Sequence, residues 1–522
     1  MKKQILGSLL AVCLLGCSQE AAVDNTLHLA LETSPNKLDP ALVVDVAEGQ
    51  LCSLIFQRLV RFSPEGDVVP DAAASWEMLD SGRRYVFHLD PRARFSSGRR
   101  VLSSDVVASF GRVLGPSSRS SRQWVLARIR GAGSFTRGVA SSVSGLAAPD
   151  DSTVTIELEE PFRPFLQLLA MPAASIVPVD LAEEAGDGFA AEPLGSGPWR
   201  LAAWNRGDYL SLVPNPHYPG SKPALDELRF RIIPEAFTRI AEFEAGTLDM
   251  LKVPLAELSR FLQDDQWKDR LQSRPELRVL YIGLNNNRGP LRDARVRRAL
   301  NMAVDVDQLI NVLYQGHATR AAGAIPPSLG GFRERDAYPY DPAQARRLLA
   351  EAGFGEGFAM EIWQRDSPEG NRLVEAVQGY LLQAGVTVTI VKREWSAFKE
   401  AVSQGRVDAF FLDWYADYPD AENFLFPLFH SQNAGPGGNR AFINEPRVDE
   451  LIERAQRTDE PEAGLRLYAS ADSLVYELAP WIYLYFPTTF LAVSPRIENY
   501  VFPVVYLGED FSSVQKLSKG NH

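Results

Sequence analysis

Between Asp293 and Leu412 the chain alternates helix-like and strand-like segments with joins of only a few residues. Asp293 precedes the apolar positions Val296, Ala299, Leu300 and Ala303, and Asp305 precedes Val306, Leu309, Ile310 and Leu313. That i, i+3, i+4, i+7 spacing puts the apolar side chains on one helix face, behind an aspartate placed to cap it. Gly316 is placed to end the second helix. Asp341-Pro342 opens a third helix, with Ala345, Leu348, Leu349 and Ala352 as its stripe and Gly353 as its stop. A helix around Leu373–Ala384 leads through Gly385 to the strand Val386–Ile390, and a helix over roughly Ser396–Gln404 leads to the apolar run Asp408–Leu412. A continuous apolar run reads as a buried central strand, and strand–helix–strand with short joins is the βαβ pattern of an α/β fold.

The first half is richer in alternating strands. Leu27–Leu31, Tyr85–Leu89, Val154–Leu158 and Arg229–Ile233 all show period two. At 522 residues the chain is too long for one core, so two or three domains are expected. No long linker separates them, which favours domains sharing strands across a hinge. Gly115–Ser121 and Ser431–Asn439 read as surface loops.

The N-terminus reads as an address. Lys2 and Lys3 precede the short apolar run Ile5–Gly16, which then meets Cys17. The run is too short to span a bilayer and has the order of a secretory signal. A small residue followed by cysteine resembles a bacterial lipobox. That resemblance implies cleavage after residue 16, diacylglycerol on Cys17 and a polar tether over 17–25, two acyl chains being enough for stable anchoring. Of the other cysteines, Cys13 lies inside the signal and Cys52 is left alone in an apolar stretch. No internal disulfide is expected, and Cys52 reads as a small buried hydrophobe.

Chemistry is mostly excluded. The six histidines include no pair spaced to hold a metal on one helix, and neither a GxSxG elbow nor a P-loop occurs. Ser34-Pro35-Asn36-Lys37 matches SxxK only at four positions, with Pro35 directly after the serine. The net charge of −12 disfavours a sequence-independent grip on nucleic acid, which needs a basic surface. No cofactor, metal or catalytic residue is expected. One segment stands apart: Asp413-Trp414-Tyr415-Ala416-Asp417-Tyr418-Pro419-Asp420 leaves the C-terminal end of the predicted strand with aromatics and carboxylates together. Ligands of α/β sheets bind at strand C-termini, aromatics give rigid walls, and a carboxylate among them can hold an amine.

Several blocks, in order, resemble the peptide-type solute-binding proteins of ABC importers, bacterial family 5. Leu38-Asp39-Pro40 follows the first strand. Pro70-Asp71-Ala72-Ala73-Ala74-Ser75-Trp76-Glu77 is similar to the family's P-D-L-A-x-S-W-E, and Gly195-Ser196-Gly197-Pro198-Trp199 to G-T-G-P-Y. Asn215-Pro216-His217-Tyr218, Gly246-Thr247-Leu248-Asp249, Asp293–Leu300 and Trp414–Pro419 match further family blocks.

The resemblance implies a bilobal periplasmic-binding-protein fold with two α/β lobes and a hinge, plus an additional third domain. Lobe I would be discontinuous, taking 26–53, 186–277 and 478–522; the additional domain would be 54–185 and lobe II 278–477. It implies capture of short peptides between the lobes and delivery to ABC transporter permease subunits by a monomer anchored to a bacterial membrane. The location would be the periplasm of a diderm cell or the surface of a monoderm. Asp417 would take the peptide ammonium, with Trp414, Tyr415, Tyr418 and Asp413 around it and Glu32, Thr33 and Ser34 offering backbone. The sequence departs from the family at Phe411, where some oligopeptide binders have Arg, and at Asp413, where Gly is common. The group that holds the ligand carboxylate is therefore open among Arg365, Arg393 and Arg440. An additional aspartate beside Asp417 predicts a preference for cationic ligands. Within the same fold the solute could instead be a metal chelate, an oligosaccharide or an opine-like compound. A peptide-sensing lipoprotein without transport is a further reading.

Overall fold

The computed structural model describes residues 25–517. The predicted signal and Cys17 lie outside the described residues. Among these residues no helix is long and apolar enough to cross a membrane.

Two α/β lobes are joined through one long strand. The first lobe is built on a four-stranded sheet in the order Thr26–Leu31, Glu227–Ile232, Tyr209–Pro214, Trp199–Asn205. Its first pair is parallel, with Leu29 opposite Phe230, so Leu27, Leu29, Leu31, Leu228 and Phe230 bury one face in a common core. The second lobe holds a mixed sheet in which Ala409–Tyr415 lies between Arg278–Leu284 and Phe358–Arg365, with Val386–Arg393 at the edge. Phe358–Arg365 runs parallel to both Val386–Arg393 and Ala409–Tyr415, as the short strand–helix–strand joins require.

Trp481–Val493 crosses between the lobes. Its first half pairs with Arg278–Leu284 and Ala318–Arg320, and its second half with Met250–Lys252 and Leu271–Pro275. Glu276 donates its N–H to the Pro487 carbonyl at 2.9 Å at the crossing, where Lys252 and Arg278 also approach the Glu276 carboxylate.

A separate antiparallel sheet, Ala73–Leu79, Arg84–Leu89, Thr153–Glu157 and Leu146–Asp150, packs Tyr85, Phe87 and Ile156 into one core with Tyr281, Phe410 and Phe424 of the second lobe. Arg163 reinforces that junction by donating to both oxygens of Asp420 at 2.8 Å.

The helices start where the aspartates predict. Asp293, Asp305 and Asp341 accept the N–H of Arg295, Gln308 and Gln344 respectively. Cys52 is fully buried and free, and burial pushes its thiol well above the ordinary value. Ser431–Asn439 lies at the surface, with Gln432, Ala434, Pro436 and Gly437 exposed, but it is anchored at its end. Asn439 is fully buried and its side chain donates to the carbonyls of Ile443 and His430, so the segment is pinned from below. Its Gly-Pro-Gly-Gly composition reflects left-handed φ values at Gly435 and Gly438.

The Gly195-Ser196-Gly197-Pro198-Trp199 block has a packing reason. A Cβ on Gly195 would overlap the Ile55 carbonyl, and one on Gly197 would sit 2.5 Å from the Leu54 carbonyl oxygen. The backbone lies that close because Gly197 donates its N–H to Ile55 at 2.8 Å, closing the loop on the end of helix Val46–Ile55. Gly195→Ala is expected to lower stability by about 1–3 kcal/mol, the usual cost of overpacking. Chemical denaturation checks it, and an unchanged midpoint would contradict it.

Candidate functional site

The strand Ala409–Tyr415 extends past the apolar run and carries Asp413, Trp414 and Tyr415 within it. Alternation along the strand sends neighbouring side chains to opposite faces. Asp413 meets Arg278, whose Nε donates to it at 2.7 Å. Trp414 lies on the other face and donates Nε1 to Asn423 Oδ1 at 3.2 Å. The same Asn423 oxygen accepts the backbone N–H of Asp417 at 3.0 Å. One buried amide thus fixes the indole and the aspartate together.

Trp414, Asp417 and Tyr418 line a cavity of about 460 Å³. Its opposite wall is Arg122, Trp124 and Arg128, from the segment joining helix Ser103–Leu114 to the antiparallel sheet, and Phe426 and Pro427 close another side. Arg122 Nη1 donates to Asp417 at 3.0 Å, and Arg122 Nη2 donates to the Val44 carbonyl of the first lobe at 3.2 Å. Both side chains keep partial access, 22% for Arg122 and 27% for Asp417. Burial pushes the Asp417 carboxyl above its ordinary value, against the pull of Arg122. Arg128 packs its guanidinium over Phe162 and Phe426.

Glu422 lines the same cavity, almost wholly buried, and accepts from the Tyr418 hydroxyl and from Gln456 Nε2. Burial pushes its carboxyl up to about 7, Asp420 adds to the rise, and the Tyr418 and Gln456 hydrogen bonds oppose it. The folded protein therefore holds this proton over a range in which the unfolded chain has released it. Stability from Glu422 is present at low pH and is lost as pH rises from the ordinary carboxyl value through about 7. Glu509 is raised to about 7 in the same direction, also by burial first. The unfolding free energy of the wild type, measured by urea titration, is expected to fall between about pH 5 and pH 8 by up to roughly 3 kcal/mol per group. Glu422→Gln is expected to flatten that slope; equal slopes for both proteins would contradict the assignment.

The remaining sequence candidates separate from this cavity. Glu32 is exposed, receives Arg239 Nη2 at 3.1 Å, and lines a different cavity of about 410 Å³ with Arg278, Glu369 and Arg372. Thr33 is exposed and Ser34 half-buried beside it. Tyr415 is exposed, its ring tilted toward Tyr506, whereas Tyr418 is almost wholly buried. Arg365 and Arg393 are exposed and paired in register at the ends of their strands, their guanidinium groups near Trp395 and Trp363 respectively. Arg440 is half-buried, and its guanidinium donates a long 3.4 Å bond to Ser403. No ion pair to any of these three arginines occurs among the described residues. Asp413 and Asp420 are matched by Arg278 and Arg163, and the further carboxyl group lining the Asp417 cavity, Glu422, is engaged by Tyr418 and Gln456.

Arg122 and Arg128 are the residues that sequence reasoning missed. Arg122 lies 295 positions from Asp417 in a segment without period or motif, so no local signal marks it.

Residues 67–436 match the model of bacterial extracellular solute-binding proteins, family 5. The chain belongs to this family. It is 30% identical over 504 residues to heme-binding protein A of Haemophilus influenzae, covering 92% of this chain and 91% of that one. It is also 30% identical over 498 residues to the probable D,D-dipeptide-binding periplasmic protein of Escherichia coli K12, covering 92% of each. Among solved structures, the binding protein DppA of Helicobacter pylori in complex with the peptide STSA matches with a TM-score of 0.78 at 26% identity, over 94% of this chain and 98% of that one. Family membership makes the chain an exported solute binder rather than an enzyme.

Proposed function

We propose that this family 5 protein captures short peptides between its lobes and hands them to the permease of an ABC importer. The observation that carries the reading is the placement of Asp417. It is held by Asn423 beside Trp414, in a cavity reached by residues of the second lobe and of the antiparallel-sheet region, with the first lobe at its margin through Val44. A peptide's ammonium needs a carboxylate when it leaves water, and an unpaired charge enclosed on lobe closure costs several kcal/mol. Asp417 supplies that carboxylate and Trp414 the adjacent apolar wall. The relatives named for dipeptides and the peptide complex of the Helicobacter protein support the ligand class.

Arg365 is the proposed partner of the ligand's carboxylate, with Arg393 behind it. Register Trp363↔Phe410 brings the end of Phe358–Arg365 level with the start of the acidic and aromatic segment. We assign the antiparallel sheet to an additional domain over 54–185, with lobe I as 26–53, 186–277 and 478–522 and lobe II as 278–477. The strand Trp481–Val493 ties the lobes at the hinge. Anchoring through lipid on Cys17 completes the proposal.

A second reading is a non-peptide solute, which the match to a protein named for heme favours. Native mass spectrometry of protein purified from cells separates the two. Peptide masses released on denaturation are expected; a single non-peptide compound at full occupancy would replace the peptide reading.

A further inference from the structure

Asp417 already has a cationic partner. Arg122 Nη1 donates to it at 3.0 Å, and Nη2 of the same guanidinium donates to the Val44 carbonyl at 3.2 Å. The three residues come from three parts of the molecule. Asp417 follows the strand Ala409–Tyr415 of the second lobe, Val44 precedes helix Val46–Ile55 of the first, and Arg122 belongs to the segment between helix Ser103–Leu114 and the antiparallel sheet. On its first-lobe side Arg122 lines a void of only about 10 Å³ with Val43, Pro172 and Tyr506; on the other it lines the cavity of about 460 Å³. Its side chain is 22% exposed. A guanidinium leaving Asp417 therefore has room on the cavity side and a path to water.

A ligand ammonium asks for the same carboxylate. Guanidinium and ammonium are both charged N–H donors, and each gains most from an ionised acceptor. The other carboxyl group in the cavity wall, Glu422, does not relieve the demand. It accepts from the Tyr418 hydroxyl and from Gln456 Nε2, and its charge interacts with Arg128. Asp420 is held at both oxygens by Arg163. Were Arg122 to stay, lobe closure would enclose two full positive charges on one carboxylate, at a cost that grows as water leaves. Were it to leave, one charged pair would replace another.

We propose that Arg122 is an affinity-setting residue of this site: it competes with the ligand's ammonium for Asp417 and is displaced when a peptide binds. The proposal rests on the peptide reading above and deepens it. Its consequence is selectivity. Only a ligand that brings charged donors of its own compensates for the lost Arg122–Asp417 pair; a neutral head leaves that pair in place and gains nothing from Asp417. The displaced guanidinium also gives up the Val44 carbonyl, so the exchange unties this contact to the first lobe.

Titration calorimetry of the mature protein with Ala-Ala and acetyl-Ala-Ala tests it. Arg122→Met keeps the apolar stem and removes the competing donors. It is expected to bind Ala-Ala about three- to tenfold tighter than wild type, the worth of a partly exposed charged hydrogen bond, with no such gain for acetyl-Ala-Ala. An arginine that held the ligand, or that only supported the fold, would give weaker binding or no change. Arg122→Gln serves in the same comparison should Arg122→Met not fold. Ala-Ala bound less than about twofold tighter, or more weakly, would overturn the proposal, as would an equal gain for both ligands. Peptide capture at Asp417 would still stand wherever Asp417→Asn weakens Ala-Ala. Binding of neither ligand by wild type or variant would overturn the peptide reading itself.

Discussion

Asp417→Asn is expected to weaken binding of peptides with a free amine by at least about tenfold, roughly 1.4 kcal/mol or more. The same peptides with an acetylated amine should bind both proteins alike. The reason is electrostatic. The substitution removes the charge that pairs with the ammonium and leaves Arg122 and Arg128 facing it. The fold should persist, because asparagine keeps the shape and the backbone N–H of residue 417 still reaches Asn423. Calorimetry with a matched pair of peptides measures it. Equal affinity of wild type and variant for the free amine would remove Asp417 from the site.

Asp249→Ala is expected to cost about 3–5 kcal/mol of stability, the usual cost of breaking a buried ion pair on one side. Asp249 is fully buried and gathers distant parts of the first lobe. Lys516 Nζ reaches it at 2.8 Å, Arg496 Nη2 at 3.1 Å and the backbone N–H of His28 at 2.8 Å. Lys516 is itself almost wholly enclosed, so removal of the carboxylate takes a charged partner from a buried ammonium that also donates to the Thr26 carbonyl at 2.6 Å. The loss should appear in urea unfolding as an early transition, while the second lobe, whose core is separate, unfolds later. A shift below about 1 kcal/mol would show that the cluster relaxes or admits water.

The second lobe was largely legible because its signals are local. A capping aspartate, an apolar stripe and a stop glycine all fall within one helix, and the helices opened by Asp293, Asp305 and Asp341 begin where those signals lie. The aromatic and acidic segment was legible as a strand end. Its internal sorting was not, since the strand runs on to Tyr415 and sends Asp413 to Arg278 and Trp414 to Asn423 on opposite faces. What the sequence hid is long-range. Trp481–Val493 serves two sheets at once, and pairing of that kind leaves no periodic mark distinguishing its halves. The buried Asn439 looked like loop because glycine and proline neighbours dominate its surroundings. Arg122 belongs to the same class: its role comes from the way the antiparallel-sheet region shares a core with the second lobe.

The ligand's amine is expected to come to rest against Asp417. A crystal structure of the protein grown with a short peptide should show the lobes closed and the ammonium nitrogen about 3 Å from the Asp417 carboxylate, with Trp414 against the first side chain. A peptide seated instead in the cavity of Glu32 and Arg278, with Asp417 still bound to Arg122 alone, would contradict it.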